Sequence, residues 1–455
     1  MTRLMLPLLI PWATGTLLVA LDGRRRTIGW LAVAILATHL GALAALAVDI
    51  TAAGASVTVT GGWAAGVGIV LRGDHLGIIF ALVSAVALLA AAAQAVALGV
   101  PERTFPGLLL LLATGLTGLF LTADIFNFYV FFEIAMTAAY VLTTYGGGRR
   151  ELGAALVFAA VNLLGSSVFL LSIAGVYRVT GTLAMDAVAV RMAQVEPNAA
   201  ILIAAGFFVA FGVKLGLFPF HFWLPTVYAG ARPAVAAILS GALANIGAYG
   251  LLRFGADLLP QELHLAATVL VLVGCASIVY GGLLAVSRCD AAETLAYSSI
   301  GQVGYVLVAL GVGGPVGLAA AVLYAVVNSL NKTMLFLAVG VRGALVSAAF
   351  VLGALSVAGI PPAAGFVGKL AVLHAAVAAA SPALVAVFVA GSALSFVYMF
   401  QLYQHDFWRP AGPGAASPWQ RQLPAAVLAL LVLAAGLWPE GLLSVSRGAA
   451  AVLRE

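Results

Sequence analysis

The chain contains three lysines, Lys214, Lys332 and Lys369, and each interrupts an otherwise apolar stretch. The cations between such stretches are arginines. Arginine keeps its charge at any accessible pH, whereas a lysine taken out of water gives up its proton readily. Three lysines confined to greasy segments therefore read as protonatable relay groups. The competing reading is a long side chain that snorkels to an interface. One acid, Glu133, stands well inside an apolar segment, and helical spacing sets Tyr129, Glu133, Thr137, Tyr140 and Thr144 on one stripe. An acid on such a stripe faces a bundle interior or a water-filled cavity and is a functional candidate, unless it only locks packing. Tyr324, Asn328 and Lys332 form a second stripe, with Asn331 and Thr333 beside it. Asn245, Tyr249 and Arg253 form a third. Asn245 cannot hold a proton but can orient water. Asp124 suits a helix start, where the dipole favours an acid. His221 and His374 read as weaker candidates, since a lone histidine near a membrane interface commonly makes only a local hydrogen bond.

No metal chemistry is indicated, because no His, Cys or acidic pair recurs at ligand spacing within a helix pair. No cofactor is expected either. Cys275 and Cys289 form no disulfide framework or haem motif and read as small apolar filler. No glycine-rich phosphate loop precedes a polar helix.

Elements must position these groups, and composition says which kind. Of 455 residues, 64% are hydrophobic and 8% charged. A soluble domain is about half apolar and about a quarter charged. Soluble globules, disordered chains and nucleic-acid binders are excluded. The net charge of +5 is scattered along the chain and signals no partner. A bilayer-crossing helix takes about 20 mostly apolar residues, and roughly fourteen such stretches fit. The expectation is an all-α polytopic membrane protein, one integral-membrane domain over residues 1–455. Leu4 to Leu21 could pass for a signal peptide, but Arg24, Arg25 and Arg26 follow directly, so it reads as a retained first helix. The stretch around Ala411, Gly412, Pro413 and Gly414 reads as an ordinary loop. With the N-terminus outside, eleven arginines fall in cytoplasmic loops, among them Arg24 and Arg409. Seven fall outside, among them Arg72, Arg253 and Arg454. The bias favours both termini outside.

Two helices are interrupted. The seventh reads Phe211-Gly212-Val213-Lys214-Leu215-Gly216-Leu217-Phe218-Pro219, then Pro225. The twelfth reads Gly359-Ile360-Pro361-Pro362, then Gly365-Phe366-Val367-Gly368-Lys369-Leu370. Each pairs a proline break with one lysine. They lie an odd number of helices apart, so a repeat relating them is inverted in the membrane. Paired broken segments mark a transport site. The freed backbone groups must face protein or water.

These residues resemble the antiporter-like subunits shared by respiratory complex I, Mrp-type cation/proton antiporters and membrane-bound hydrogenases. Asp124 to Tyr145 is similar to the family's fifth helix. Lys214 to Pro225 is similar to its broken seventh, with Pro219, His221, Trp223 and Leu224 in place. Leu295 to Tyr305 resembles the tenth-helix motif, Asn328 to Phe336 the eleventh-helix block, and Gly359 to Lys369 the broken twelfth helix. The Asp-Ile-Phe-Asn style of the fifth helix leans towards the Mrp D-type subunit.

The resemblance implies fourteen helices with two inverted five-helix repeats, over 106–253 and 264–403, each a proton half-channel. It implies proton translocation along a hydrated axis in a bacterial-type inner membrane, coupled to cation antiport or to electron transfer in partner subunits. Glu133 and Lys214 would be the interacting pair of the first half, Lys332 a central relay and Lys369 the terminal exchange site. The implied partners are other membrane subunits of one complex, with protons, and sodium as an open alternative, as the ions moved. The chain departs from the pattern where Asn245 replaces a lysine, Asn328 a histidine, and Ala292 and Glu293 a basic pair. The segment from Arg342 to Leu352 is also short. A continuous relay then needs water or a side chain such as His221 or Tyr249. A proton-silent structural homologue and a stand-alone transporter of another solute remain the alternatives.

Overall fold

A computed structural model describes residues 3–62, 68–99, 102–408 and 416–453. Arg409, Arg454 and the expected loop at 411–414 lie outside the described residues.

The chain is a bundle of membrane-length helices. We number the crossings α1 (Leu6–Ala20), α2 (Arg26–Ala53), α3 (His75–Leu98), α4 (Phe105–Phe120), α5 (Ile125–Thr143), α6 (Arg149–Thr180), α7 (Pro197–Gly230) and α8 (Pro233–Leu258). There follow α9 (Ala267–Val286), α10 (Ala291–Val312), α11 (Gly314–Ala338), α12a (Ala344–Ala358), α12b (Ala364–Ala378), α13 (Pro382–Tyr403) and α14 (Trp419–Leu437). Eleven of these are long and apolar enough to cross a membrane alone. The shorter apolar helices α1 and α4, and the two halves of α12, complete fourteen crossings. A last helix, Glu440–Val452, packs beside α3 and α11.

Local chemistry sets the helix ends. The Asp74, Asp124 and Asp290 side chains accept from the backbone N–H groups of Gly77, Asn127 and Glu293, at 2.8, 2.7 and 3.0 Å. Each satisfies one of the donors that a first helical turn leaves open. Proline opens α7, α8 and α13, where its missing N–H costs nothing. α9 and α10 cross at glycines, so that a Cβ on Gly304 would stand 2.5 Å from the Gly274 carbonyl oxygen. That close approach is the small-residue packing of membrane helices. α3, α8, α10 and α11 form the buried centre, while α2 and α13 bury only a minor share of their residues.

Two features depart from the expected pattern. Between α2 and α3, strands β1 (Ser56–Val59) and β2 (Val70–Gly73) pair antiparallel, with Ser56 opposite Gly73. Strands of four residues carry too little alternation to stand out beside helices. Second, α8 is wound as π-helix over Leu239–Leu243 and Leu251–Leu258, on either side of Asn245. The two proline breaks are present. α7 stops at Gly216 and resumes after a short 3-10 turn at Phe220–Trp223, and α12a stops at Gly359. Both glycines take positive φ, 63° and 81°, which ends a helix without strain. Gly359 has a second role: a Cβ there would stand 2.5 Å from Lys369 Cδ, so glycine lets the lysine stem cross the break.

Candidate functional site

The three lysines are buried at 6%, 0% and 2% exposure for Lys214, Lys332 and Lys369, so none of them snorkels to the surface of the chain. Their surroundings differ.

Lys214 ends the first segment of α7. Its Nζ has no hydrogen-bond partner and lies 4.3 Å from the centre of the Phe132 ring. The face of an aromatic ring attracts a cation. A cavity of about 10 Å³, on the order of one water, adjoins Lys214 and is lined by Phe158, Asn162, Trp223 and Tyr228. Asn162 Oδ1 is buried there without a partner. Glu133 accepts from the Ser166 hydroxyl of α6. It makes no ion pair with Lys214 within 4.0 Å, so the expected pairing is not one of direct contact. The stripe on α5 also divides. Tyr129, Glu133 and Thr137 line a groove of about 440 Å³ between α4 and α5 that opens to the outside of the chain, rather than the bundle interior. Tyr140 turns the other way, edge-on to Phe158 at 5.1 Å.

Asn245 joins three helices. Its Nδ2 lies 3.0 Å from Ser84 Oγ on α3, 2.9 Å from the Gly241 carbonyl and 3.2 Å from Ser329 Oγ on α11. Ser329 also donates to the Gly241 carbonyl. Gly241 lies within the π-helical turn Leu239–Leu243, and such turns recur at functional sites.

Lys332 and Lys369 each make two hydrogen bonds. Lys332 Nζ donates to Ser298 Oγ at 2.7 Å and to the Leu295 carbonyl at 3.2 Å. Ser298 bonds the Tyr398 hydroxyl of α13 at 2.8 Å. Lys369 Nζ donates to Ser392 Oγ at 3.1 Å and to the Ala358 carbonyl at 3.5 Å, and stands 4.7 Å over the Tyr305 ring. Asn328 is not in this chain of bonds, and its Oδ1 has no partner. Tyr324 donates to Gln302 Oε1.

The remaining candidates sit elsewhere. Tyr249 accepts from Arg253 Nε at 3.1 Å and donates to the Phe120 carbonyl at 3.2 Å, so it belongs to an ionic cluster. There Arg253 grips both oxygens of Asp74 at 2.6 and 2.8 Å and Asp257 at 2.9 Å. Arg72 reaches Asp74, Asp257 and Asp186. Burial alone would raise the Asp74 carboxyl, but Arg253 and Arg72 outweigh it and hold the group below the usual carboxylate range. Arg72 and Arg253 are therefore structural ion-pair members, not free loop cations of the kind a topology count assumes. His221 packs against Phe218 and Tyr280 and bonds none of the lysines. His374 is exposed. Asp124 caps α5 as expected. Burial raises its carboxyl, opposed by the N–H groups of Asn127 and Phe126. Among the described residues no group of three His, Cys, Asp or Glu could hold a metal.

Sequence reasoning missed Ser166, Asn162, Ser392, Ser395 and Tyr398. The last three carry a signal, a polar spacing of three on α13, but serine and tyrosine are ordinary in an apolar helix.

The family described as "NADH:quinone oxidoreductase/Mrp antiporter, TM" matches residues 122–344 and 341–395. The chain is 32% identical over 429 residues to the D-type subunit of the Na(+)/H(+) antiporter of Alkalihalophilus pseudofirmus, covering 89% of this chain and 86% of that protein. It is 33% identical over 374 residues to the N-type subunit of the NADH-quinone oxidoreductase of Desulforudis audaxviator, covering 75% and 74%. Its fold superposes on a chain of the Mrp complex from Dietzia with a TM-score of 0.91 at 29% identity, over 99% of this chain and 97% of that one. On a chain of respiratory complex I from Thermus thermophilus the TM-score is 0.86 at 26% identity, over 99% and 100%.

Proposed function

Because this chain belongs to the NADH:quinone oxidoreductase/Mrp antiporter transmembrane family, we propose that it is a proton-conducting subunit of a multi-subunit membrane complex. Mrp-type cation/proton antiport is the favoured setting. The nearly full-length match to a D-type antiporter subunit supports it. A place beside an electron-transfer module is the second reading, favoured by the match to the N-type oxidoreductase subunit. In either setting this chain is a transporter-type subunit, its partners are other membrane subunits, and the ions are protons, with sodium exchanged against them in the first setting. The membrane is a bacterial inner membrane, with both termini outside.

The observation that carries the reading is the burial of three titratable amines in a lipid-embedded bundle, where an ionisable group is costly unless it serves a pathway. Residues 106–253 and 264–403 act as two inverted half-channels. In the first, Glu133 receives a proton through the α4–α5 groove and Lys214 takes it up. Asn245, with Ser84 and Ser329, orients the passage toward α11. In the second, Lys332 carries the proton onward and Lys369 exchanges it at the α12 break, where freed backbone groups admit water.

The test is cation-driven proton exchange by the complete complex in liposomes. Alanine at Lys332 or at Lys369 is expected to abolish exchange while the complex still assembles. Full exchange in both variants would overturn the reading and favour a proton-silent scaffold.

A further inference from the structure

Lys332 and Lys369 stand on different helices, and Asn328, which shares the α11 stripe with Lys332, bonds neither. The groups that lead away from Lys332 come from α10 and α13. Lys332 donates to Ser298, Ser298 meets the Tyr398 hydroxyl at 2.8 Å, and Tyr398 donates to Ser395 Oγ at 3.3 Å. Ser395 in turn donates to the Gly391 carbonyl at 2.7 Å. All four side chains are nearly inaccessible to solvent.

Gln302 fixes the direction of this chain. Its Oε1 is occupied by the Tyr324 hydroxyl, so its amide nitrogen must face the other way. That nitrogen donates to Tyr398 at 3.0 Å and to Ser395 at 3.1 Å. The Tyr398 oxygen thus accepts from Gln302, and because Ser395 gives its own proton to the Gly391 carbonyl, the Tyr398 proton points onward to Ser395. The far end lies beside Lys369. A Cβ at Gly391 would collide with the Tyr305 hydroxyl, so that hydroxyl sits against the residue where the chain ends. The Tyr305 hydroxyl is buried and has no partner, and Lys369 Nζ stands 4.7 Å from the same ring.

We propose that Tyr398 passes protons from Lys332 toward Lys369, so that the second half discharges through α13 rather than along α11. This rests on the proton-conducting reading above. The Lys332 ammonium releases a proton to Ser298 Oγ as Ser298 gives its own to Tyr398. Tyr398 gives its phenolic proton to Ser395. Ser395, turning from the Gly391 carbonyl to the Tyr305 hydroxyl, gives its proton there, and the Tyr305 proton ends on the free amine of Lys369. Every O–H bond broken is replaced by one formed. Lys332 ends neutral, Lys369 ends as the ammonium, and no electron changes hands. Gln302 is a positioning residue in this scheme, since an amide orients the hydroxyls without carrying the proton.

The experiment measures proton flux through the complete complex in liposomes. Tyr398→Phe keeps the ring and removes the hydroxyl. It should slow flux at least about tenfold, within the range for loss of a positioned proton-transfer group. Replacing Tyr398 with 3-fluorotyrosine keeps the bonds but makes the phenol more acidic. It should change the rate and its solvent deuterium isotope effect, neither of which a purely structural tyrosine would move. Wild-type flux in Tyr398→Phe, or a fluorotyrosine complex indistinguishable from wild type, overturns the proposal. Lys332→Ala and Lys369→Ala run alongside. If these conduct normally, the proton-conducting reading itself has failed. If they are dead while Tyr398→Phe conducts, only the α13 route has.

Discussion

The first-half lysine and the second-half lysines are buried alike and bonded differently. Lys214 rests on the Phe132 ring with no hydrogen-bond partner, whereas Lys332 and Lys369 each hold a serine hydroxyl and a backbone carbonyl. A buried polar group without partners costs about 1–3 kcal/mol, more when charged. Lys214 is therefore the less comfortable resident, and its Nζ must find partners through water or a shift of its own stem. The small cavity shared with Asn162 Oδ1, itself unpartnered, is where such a partner fits. The second half has its acceptors built in. One half leaves its buried amine without a side-chain or backbone partner, and the other bonds both of its amines.

The largest expected effect tests that contrast directly. Lys214→Met and Lys332→Met should both abolish proton transport in the reconstituted complex. Their thermal stabilities should diverge. Methionine at 214 removes a group that had no bonds to lose, so melting should hold or rise. Methionine at 332 deprives Ser298 and the Leu295 carbonyl of a donor and should lower stability by about 1–3 kcal/mol. Equal losses of melting temperature in the two variants would break the comparison.

Lys369 comes next. As a terminal exchange site it must be able to lose its charge. Lys369→Arg should stop transport, since arginine stays protonated, whereas Lys369→His should retain a measurable fraction. Proton uptake after a pH jump distinguishes the two. Full transport with arginine would make Lys369 an electrostatic post and leave Lys332 as the last carrier.

A third effect concerns stability at the far end of α8. Arg253→Met leaves Asp74, a buried carboxylate at 1% exposure, with Arg72 as its remaining cation at 3.3 Å, and should cost up to about 3 kcal/mol, the lower end of what a broken buried pair costs. Since Asp74 is held below the usual carboxylate range when folded, its contribution is present above that range and fades as pH falls through the lowered value. Denaturation of wild type and Arg253→Met between neutral and acidic pH should therefore converge at the acidic end. A gap that stays constant with pH would deny the carboxylate its role.

What the sequence made legible follows the same division. A lysine in an apolar stretch and a proline break beside it are conspicuous, so Lys214, Lys369 and the two interrupted helices could be read directly. The multi-pass helical bundle followed from the apolar stretches, eleven of which are long enough to cross a membrane alone. The bonding around the lysines could not be read, because it is set by which helices touch. Tyr398 and Ser298 are 100 residues apart, and Arg253 and Asp74 are 179 apart. Arg253 looked like a loop cation because the carboxylate whose two oxygens it grips, Asp74, is remote in sequence, and the local Asp257 four residues on does not reveal it. Glu133 looked interior because its stripe is polar. The groove it lines is formed by Leu108 and Leu111 of α4, which no pattern on α5 could announce.

The smallest effect lies where the two halves meet. Asn245 stands at the junction of α3, α8 and α11, held by Ser84, Ser329 and the Gly241 carbonyl, and Ser329 precedes Lys332 by three residues on the same helix. An amide there orients neighbours but cannot store a proton, so the proposed passage from Lys214 to Lys332 would need water. Lysine at this position would find two hydroxyls and a carbonyl already placed to accept from it, the kind of setting that Lys332 has and Lys214 lacks. Asn245→Lys should therefore raise proton flux, by a factor of a few rather than by orders of magnitude, since Lys214 would still be the unbonded step. Asn245→Ala should lower flux modestly by freeing Ser84 and Ser329. Proton flux at fixed driving force, compared across the two variants and wild type, is the measurement. If both variants match wild type, the junction carries no protons, and the two halves work as separate channels rather than as one route with a weak link.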